Sequence, residues 1–254
     1  MNLPEVKIED LLESGVHFGH NVRRWNPKME EYIFGVRNNV HIFDLRITVE
    51  AINSALIKLH ETVSKSGKVL FVGTKKQCSI VVKELAELNN YFYVNKRWLG
   101  GMLTNWKTIS KSINRLKDLE TFLSDPSSSN KVSKKELLDI SREKEKLNSN
   151  IGGIKNLNGK PDLVIIFDAV KDKIAVLESK KLEIPIIGIV DSNADPDLID
   201  YVIPGNDDAI RSINIFSNYF KQTILDAMET LNLNNNEAID IKNEAIDIES
   251  DEKI

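Results

Sequence analysis

Three short stretches of the chain are apolar at every position, and they constrain the fold more than any other feature. They are Val69–Val72, Leu163–Phe167 and Ile186–Val190. A strand with one face in water alternates apolar and polar residues, whereas a parallel strand covered on both faces is apolar throughout. Segments with helical periodicity follow these stretches, so the sequence predicts an α/β protein with a doubly wound parallel sheet.

The predicted helices of this α/β part come from the spacing of apolar residues. They lie at about 49–65, 77–88, 172–181 and 207–231. Thr48 is the predicted N-cap of the first, and Asp207 and Asp208 suit the positive end of the last helix dipole. Upstream, Tyr32–Phe34 and His41–Phe43 flank two asparagines suited to positive φ, which predicts a β-hairpin.

Residues 104–152 interrupt the alternation of strands and helices. They carry one narrow apolar stripe before the turn-forming segment Ser124–Asn130 and a second stripe after it. Ser133 and Glu136 have the spacing of a capping box at the start of the second stripe. Two narrow stripes joined by a short linker predict an antiparallel helical hairpin that projects from the sheet domain.

The chain therefore divides into three predicted parts. The sheet domain is discontinuous and comprises residues 1–103 and 153–231, with the hairpin at 104–152 inserted between them. Residues 232–254 are acidic and rich in asparagine. Segments of this composition bury too little apolar surface to offset the entropy of ordering, so we expect a disordered tail.

Composition limits the class of protein. The chain has 254 residues and one cysteine, Cys78. A single cysteine allows no intrachain disulfide, which fits a reducing compartment, and we expect a packed thiol rather than a nucleophile. No apolar run approaches the roughly 20 residues that a transmembrane helix needs, and the acidic N-terminus does not have the pattern of a secretory signal. We therefore expect no membrane association.

Charge is distributed unevenly along the chain. Residues 1–160 hold 26 Lys and Arg against 18 Asp and Glu, whereas residues 161–254 hold 8 against 20. The formal net charge of −4 thus conceals a basic front of +8 and an acidic back of −12. Such asymmetry is typical of a protein that turns one surface towards a polyanion.

Two clusters combine cations with tryptophan. The first contains Arg23, Arg24, Trp25 and Lys28, and the second contains Lys96, Arg97, Trp98, Asn105, Trp106 and Lys107. Cations reach phosphates and aromatic rings stack on unpaired bases, so both clusters favour RNA binding. The alternative is that each tryptophan packs under its own loop.

A further basic pair lies where a predicted strand leads into a helix. After Val69–Val72 the chain passes through Gly73 and Thr74 to Lys75 and Lys76. Helix N-termini attract phosphate, so we expect both lysines to contact the RNA backbone, with a plain strand-to-helix turn as the alternative. Neither dinucleotide nor P-loop glycine motifs are present, so the sequence supports no nucleotide site and no cofactor.

Two histidines near the N-terminus are potential metal ligands. His17 and His20 have a spacing that could place both on one ion, but no cysteine lies nearby. We favour hydrogen bonds to backbone or RNA, predict no metal, and keep a labile metal as the alternative.

Six aspartates lie between residues 191 and 211. Because α/β enzymes place carboxylates at the ends of parallel strands, a Mg²⁺-dependent phosphotransferase is the competing hypothesis. Asp195 precedes a proline in a turn, however, and Asp207 and Asp208 start a helix. No nucleophile or carboxylate has a convincing acid–base partner, so we predict no catalytic residue and no enzyme.

Several segments together resemble the family of the protein numbered two of the bacterial and organellar small ribosomal subunit. The resemblance covers about residues 5–230, in the family's order. The most specific segments are LLESGVHFGH (11–20), RRWNPKM (23–29), VLFVGTKKQ (69–77), RWLGGMLTNWKTI (97–109) and DYVIPGNDDAIR (200–211).

This resemblance implies a flavodoxin-like sheet with a protruding coiled-coil hairpin, on the solvent side of the small subunit between head and body. It implies a monomer that contacts small-subunit rRNA and other ribosomal proteins, including the large multi-OB-fold protein numbered one, which captures mRNA. The implied location is the bacterial cytoplasm, with an organelle matrix as the alternative. The family's motifs place contacts at His17, His20, Arg23, Arg24, Trp25, Lys28, Arg97, Trp98, Asn105 and Trp106.

Overall fold

The computed structural model describes the backbone of residues 1–125 and 133–251, and the side chains of residues 1–125 and 133–231.

The first three strands form a small antiparallel sheet. The strands are β1 (Phe18–Asn21), β2 (Ile33–Arg37) and β3 (Val40–Phe43), in the order β1–β3–β2. Asn38 and Asn39 join β2 to β3 with φ of 52° and 60°, a left-handed conformation that asparagine tolerates. The predicted hairpin is confirmed, and β1 joins it as a third strand.

The remaining five strands form a second sheet, and all its described pairings are parallel. They are β4 (Val69–Val72), β5 (Phe92–Val94), β6 (Leu163–Ile166), β7 (Ile186–Val190) and β8 (Tyr201–Pro204). Their spatial order is β5–β4–β6–β7–β8. This order fits a doubly wound core whose direction of winding reverses at β4. The three apolar stretches are buried central strands, as predicted.

Seven α-helices lie in the described part of the chain. They are α1 (Ile8–Glu13), α2 (Leu45–Ser64), α3 (Lys76–Leu88), α4 (Trp106–Ser124), α5 (Lys134–Ile151), α6 (Lys173–Lys181) and α7 (Ile210–Asp251). None of these described helices is long and apolar enough to cross a membrane. The backbone of α7 continues past residue 231 to Asp251, through most of the segment where a disordered tail is expected. Side chains from 232 onwards lie outside the described residues, so the state of the tail stays a prediction.

The predicted start of α2 is wrong. The helix begins at Leu45, because the Asp44 carboxylate accepts a hydrogen bond from the Arg46 N–H at 3.0 Å and thereby acts as the N-cap. Thr48 is buried one turn further on, where its hydroxyl donates to the carbonyl oxygen of Pro204 at 2.9 Å. A residue predicted to cap α2 therefore ties that helix to β8.

The predicted start of α7 is also wrong. Asn206 turns the chain first, since its side-chain oxygen accepts hydrogen bonds from the N–H groups of Asp208 and Ala209 at 2.9 and 3.1 Å. The helix begins only at Ile210. Asp207 and Asp208 are therefore loop residues after β8, and their carboxylates bind the ammonium of Lys75.

Helices cover both faces of the parallel sheet. Along β4, Val69 and Phe71 belong to a core with α2, α3 and α7, whereas Leu70 and Val72 belong to a second core with α4 and α6. This division follows from the two-residue period of a strand. It confirms the predicted sheet with helices on both sides.

The helices α4 and α5 flank residues 126–132, which lie outside the described residues. These seven residues include most of the predicted linker, Ser124–Asn130. Arg115 on α4 forms a salt bridge with Glu143 on α5, at 2.9 Å. Ser133 and Glu136 exchange hydrogen bonds, so the predicted capping box is confirmed. That the pair is a coiled coil projecting from the sheet stays a prediction.

Candidate nucleic-acid interface

The carboxyl ends of the parallel strands bring together residues that are far apart in sequence. Lys75 follows β4, and its ammonium lies 3.0 Å from an Asp168 oxygen and 2.7 Å from oxygens of Asp207 and Asp208. Only 15% of the Lys75 side chain is exposed. Lys75 is thus largely buried and bound by three carboxylates. In a plain strand-to-helix turn, the alternative considered above, this lysine would have no such partners.

Burial and charge act against each other at this cluster. Burial disfavours the charged form of Lys75, but Asp207, Asp208 and Asp168 outweigh it and raise the pKa of the ammonium. Burial also raises the pKa of Asp207, and the nearby carboxylates Asp168 and Asp191 add to that shift. Lys75 is the cation that makes this concentration of buried carboxylates tolerable.

His20 extends the same cluster. Its Nδ1 lies 3.0 Å from Asp191 and its Nε2 lies 3.3 Å from Asp208, the aspartate that also binds Lys75. The hydrogen bond with Asp191 is the main cause that raises the pKa of His20, against the effect of burial. Two predicted RNA contacts, His20 and Lys75, therefore meet at one carboxylate.

Among the described residues, His20, Asp191 and Asp208 form a group that could hold a metal ion, because their ligand atoms lie within 4.8 Å of one another. His17 is not in this group; its ring packs 4.0 Å from that of Phe18. The alternative in which His17 and His20 hold one ion together therefore does not match the group that the described residues form. Carboxylates and a histidine suit a divalent cation, although Lys75 already supplies positive charge at Asp208.

The start of α3 shows a related arrangement. The Thr74 N–H and hydroxyl donate to the Asp172 carboxylate at 3.0 and 2.7 Å. A backbone N–H that could bind phosphate is therefore already satisfied by a protein carboxylate. Lys76, in contrast, is exposed and has no ion pair with a described residue.

The first basic cluster lies in short 3₁₀ turns beside the N-terminal sheet. Arg23 and Arg24 are exposed and line a cleft of about 450 Å³. Trp25 is half-buried and stacks on His41, with ring centroids 4.9 Å apart. Lys28 is exposed, but its ammonium binds Asp195 at 3.0 Å and also contacts Asp197. Arg23 and Arg24, in contrast, form no ion pair with a residue in the described part of the chain.

The second basic cluster surrounds the loop between β5 and α4. Trp98 is buried, and its indole N–H donates to Glu178 on α6 at 3.0 Å, so this tryptophan has a burial partner within the protein. Trp106 is half-buried at the first position of α4. The exposed members are Lys96, Arg97, Asn105 and Lys107.

Two further features of this region have little signal in the sequence. One is Glu178, which accepts hydrogen bonds from the Trp98 loop; its only sequence signal is a position on the buried side of α6, beside Ala175 and Ser179. The other is an apolar patch on the N-terminal sheet, formed by Leu12, Phe18, Phe34 and Val36 around a cavity of about 660 Å³. Its signal is two outward-facing apolar residues, Phe34 and Val36, on β2.

Comparison with known proteins decides the family. A family model described as ribosomal protein S2 matches residues 11–227. The chain belongs to the ribosomal protein S2 family. Small ribosomal subunit protein uS2 of Mesorhizobium japonicum is 50% identical over 228 residues, covering 90% of this chain and 87% of the relative. The Rhizobium leguminosarum protein is 51% identical with 90% and 89% covered, and that of Rickettsia rickettsii is 51% identical with 89% and 77% covered.

The role of this family is structural and non-enzymatic, in translation. The thiol of Cys78 is buried, and burial raises its pKa to about 12. The six aspartates between residues 191 and 211 all have partners within the protein. Asp191 binds His20, Asp195 and Asp197 bind Lys28, Asp200 binds Lys180, and Asp207 and Asp208 bind Lys75.

Proposed function

We propose that this protein is a constituent of the small ribosomal subunit that binds small-subunit rRNA through exposed cations in its loops and at the starts of its helices. The observation that carries the proposal is the division among the predicted contacts. Lys75 is held by three internal carboxylates, whereas another set is exposed and forms no ion pair with a described residue. That set is Arg23, Arg24, Lys76, Lys96, Arg97 and Lys107.

Exposed cations on a rigid scaffold suit a phosphate backbone. Neutralising phosphates releases counterions, which makes the affinity fall steeply with salt. Asn105 and the half-buried rings of Trp25 and Trp106 are placed to add polar or stacking contacts with unpaired bases. His17, His20, Lys28, Lys75 and Trp98 then support the interface mainly by positioning its loops.

The test is binding of the purified protein to small subunits from which it has been removed, measured over a series of salt concentrations. We expect log Kd to rise linearly with log salt, with a slope that reflects several neutralised phosphates. A salt-independent affinity, or no binding at low salt, would contradict the proposal.

The apolar patch favours a second, compatible function in docking a neighbouring protein. Phe34 is 72% exposed, and Leu12, Phe18 and Val36 beside it are each about half exposed. Contiguous exposed apolar residues around a cavity mark interaction surfaces. Following the family resemblance, we propose that the protein numbered one docks on this patch.

The variant Phe34→Ser tests this docking. We expect subunits carrying it to retain this protein but to lose protein one by about tenfold or more in affinity, since a buried aromatic anchor dominates such interfaces. Ile80→Ser is the matched control, because Ile80 is 67% exposed on α3 and lines a different cleft. Equal retention of protein one by both variants would rule out this surface.

We further propose that the core is flavodoxin-like, that α4 and α5 form the projecting coiled-coil hairpin, and that the protein acts as a monomer in a bacterial cytoplasm. The strand order supports the first of these, and the Arg115–Glu143 salt bridge supports the second. The resemblance alone supports the site between head and body of the subunit.

A further inference from the structure

Glu178 is a buried carboxylate whose hydrogen-bond donors all come from one loop. It lies on α6 and is 8% exposed. Its Oε1 accepts from the Trp98 indole N–H at 3.0 Å and from the Gly101 N–H at 2.7 Å. Its Oε2 accepts from the N–H groups of Leu103 and Thr104, both at 3.0 Å, and from the Thr104 hydroxyl at 3.1 Å.

These five donors compensate for the burial of a negative charge. Burial alone would raise the pKa of Glu178, but the hydrogen bonds from Thr104, Trp98, Leu103 and Gly101 outweigh it and lower the pKa. Glu178 therefore remains ionised at neutral pH. Hydrogen bonds to an ionised acceptor are about twice as strong as neutral ones, so this is a firm attachment of the loop to α6.

The loop needs this acceptor in order to hold its shape. Three backbone N–H groups, those of Gly101, Leu103 and Thr104, donate to Glu178 in hydrogen bonds that are buried or partly buried, and N–H groups withdrawn from water need a partner. Gly101 has φ of +84°, and a Cβ there would lie 3.0 Å from the Cβ of Asn105. The conformation is thus specific, and the residue that satisfies it lies more than 70 positions along the chain.

The same loop separates two groups of exposed residues. Lys96 and Arg97 come immediately before Trp98, whereas Asn105 directly follows Thr104 and Lys107 lies two residues further on, in the first turn of α4. The conformation between Trp98 and Thr104 therefore sets the distance and orientation between the cations on its two sides.

We propose that Glu178 is a positioning residue for RNA binding, which holds the Trp98–Thr104 loop so that Lys96, Arg97 and Lys107 are preorganised for phosphates. The inference rests on the proposed function. Preorganisation matters because binding otherwise has to order the loop, at a cost in free energy for each immobilised residue. A negatively charged residue thus increases affinity for a negatively charged ligand.

The decisive variant is Glu178→Gln, which keeps the size of the side chain but turns an acceptor into an NH₂ group that faces N–H donors. Its control is Glu183→Gln, which removes the same charge from an exposed position shortly after α6. Both are compared with wild type for binding to small subunits lacking this protein. We expect about tenfold weaker binding for Glu178→Gln and no loss for Glu183→Gln.

A double-mutant cycle separates positioning from a merely structural role. The second background combines Lys96→Ala, Arg97→Ala and Lys107→Ala. If Glu178 acts through these cations, Glu178→Gln has less than about a twofold effect in that background, because residues that act as a unit are not additive. An equal loss in both backgrounds would overturn the proposal, since Glu178 would then act elsewhere.

The remaining outcomes are equally decisive. If Glu178→Gln does not fold, Trp98→Phe removes one donor and keeps an aromatic ring, and a loss of about threefold that disappears in the triple background is expected. If wild type binds and Glu178→Gln binds as well as Glu183→Gln, the positioning role is wrong while the proposed function stands. If wild type itself does not bind, the proposed function fails first.

Discussion

The edge of the parallel sheet and the loop between β5 and α4 both enclose one strong charge, but of opposite sign. At the sheet edge the enclosed charge is the ammonium of Lys75, surrounded by Asp168, Asp207 and Asp208. In the loop it is the carboxylate of Glu178, surrounded by N–H and hydroxyl donors.

This difference decides which cations remain available to a partner. A cation enclosed by carboxylates has its charge compensated within the protein. An anion enclosed by backbone donors compensates no lysine or arginine, so Lys96, Arg97 and Lys107 keep their charge at the surface. A basic motif in the sequence thus marks an RNA contact only if the fold leaves its cations unpaired.

The largest expected effect distinguishes two adjacent lysines. Lys75→Met leaves Asp168 and Asp207 buried without their cation, so we expect a loss of about 3 kcal/mol in the free energy of unfolding. Lys76→Met, at an exposed position, should change it by less than about 0.5 kcal/mol. Urea unfolding at neutral pH measures both, and coincident unfolding curves would show that Lys75 is not the structural cation described here.

An intermediate effect is the pH dependence of the stability that Glu178 contributes. Because its hydrogen bonds lower the pKa of Glu178, the stability it contributes is present above its unfolded pKa and is lost as pH falls through the lower, folded pKa. We therefore expect wild type to exceed Glu178→Gln in stability by about 1–3 kcal/mol at neutral pH, with the difference vanishing in strong acid. A difference that stays constant with pH would contradict an ionised Glu178.

The smallest effect tests how widely the binding energy is spread. Arg97→Ala should reduce the salt slope of binding by about one and weaken affinity by a few fold, because it removes one phosphate contact among several. Its unfolding curve should match wild type. If this single change released the protein from small subunits at physiological salt, the distributed interface proposed here would be wrong.

Much of the fold follows from local pattern. The strands β4, β6 and β7 are apolar throughout because both faces of the parallel sheet are covered. Their short length distinguishes them from buried helices. The strand β8 does not stand out, since Tyr201–Pro204 lies among aspartates that dominate the composition of that segment. The four residues of β1 are too few to show a period.

The site was less predictable, because its contacts join distant parts of the chain. Lys75 and Asp207 are 132 residues apart, and Trp98 and Glu178 are 80 apart. Sequence identified Lys75 and Trp98 as members of basic or aromatic motifs but could not show that internal carboxylates bind both. Only the order of strands brings these loops to one edge of the sheet.

The most direct test of the central claim is sedimentation of a cell extract through a density gradient, with this protein followed by immunoblot at low and at high salt. We predict that it migrates with the small ribosomal subunit at low salt and is progressively released as salt rises. If most of it remained at the top of the gradient at low salt, binding of rRNA by its exposed cations would be contradicted.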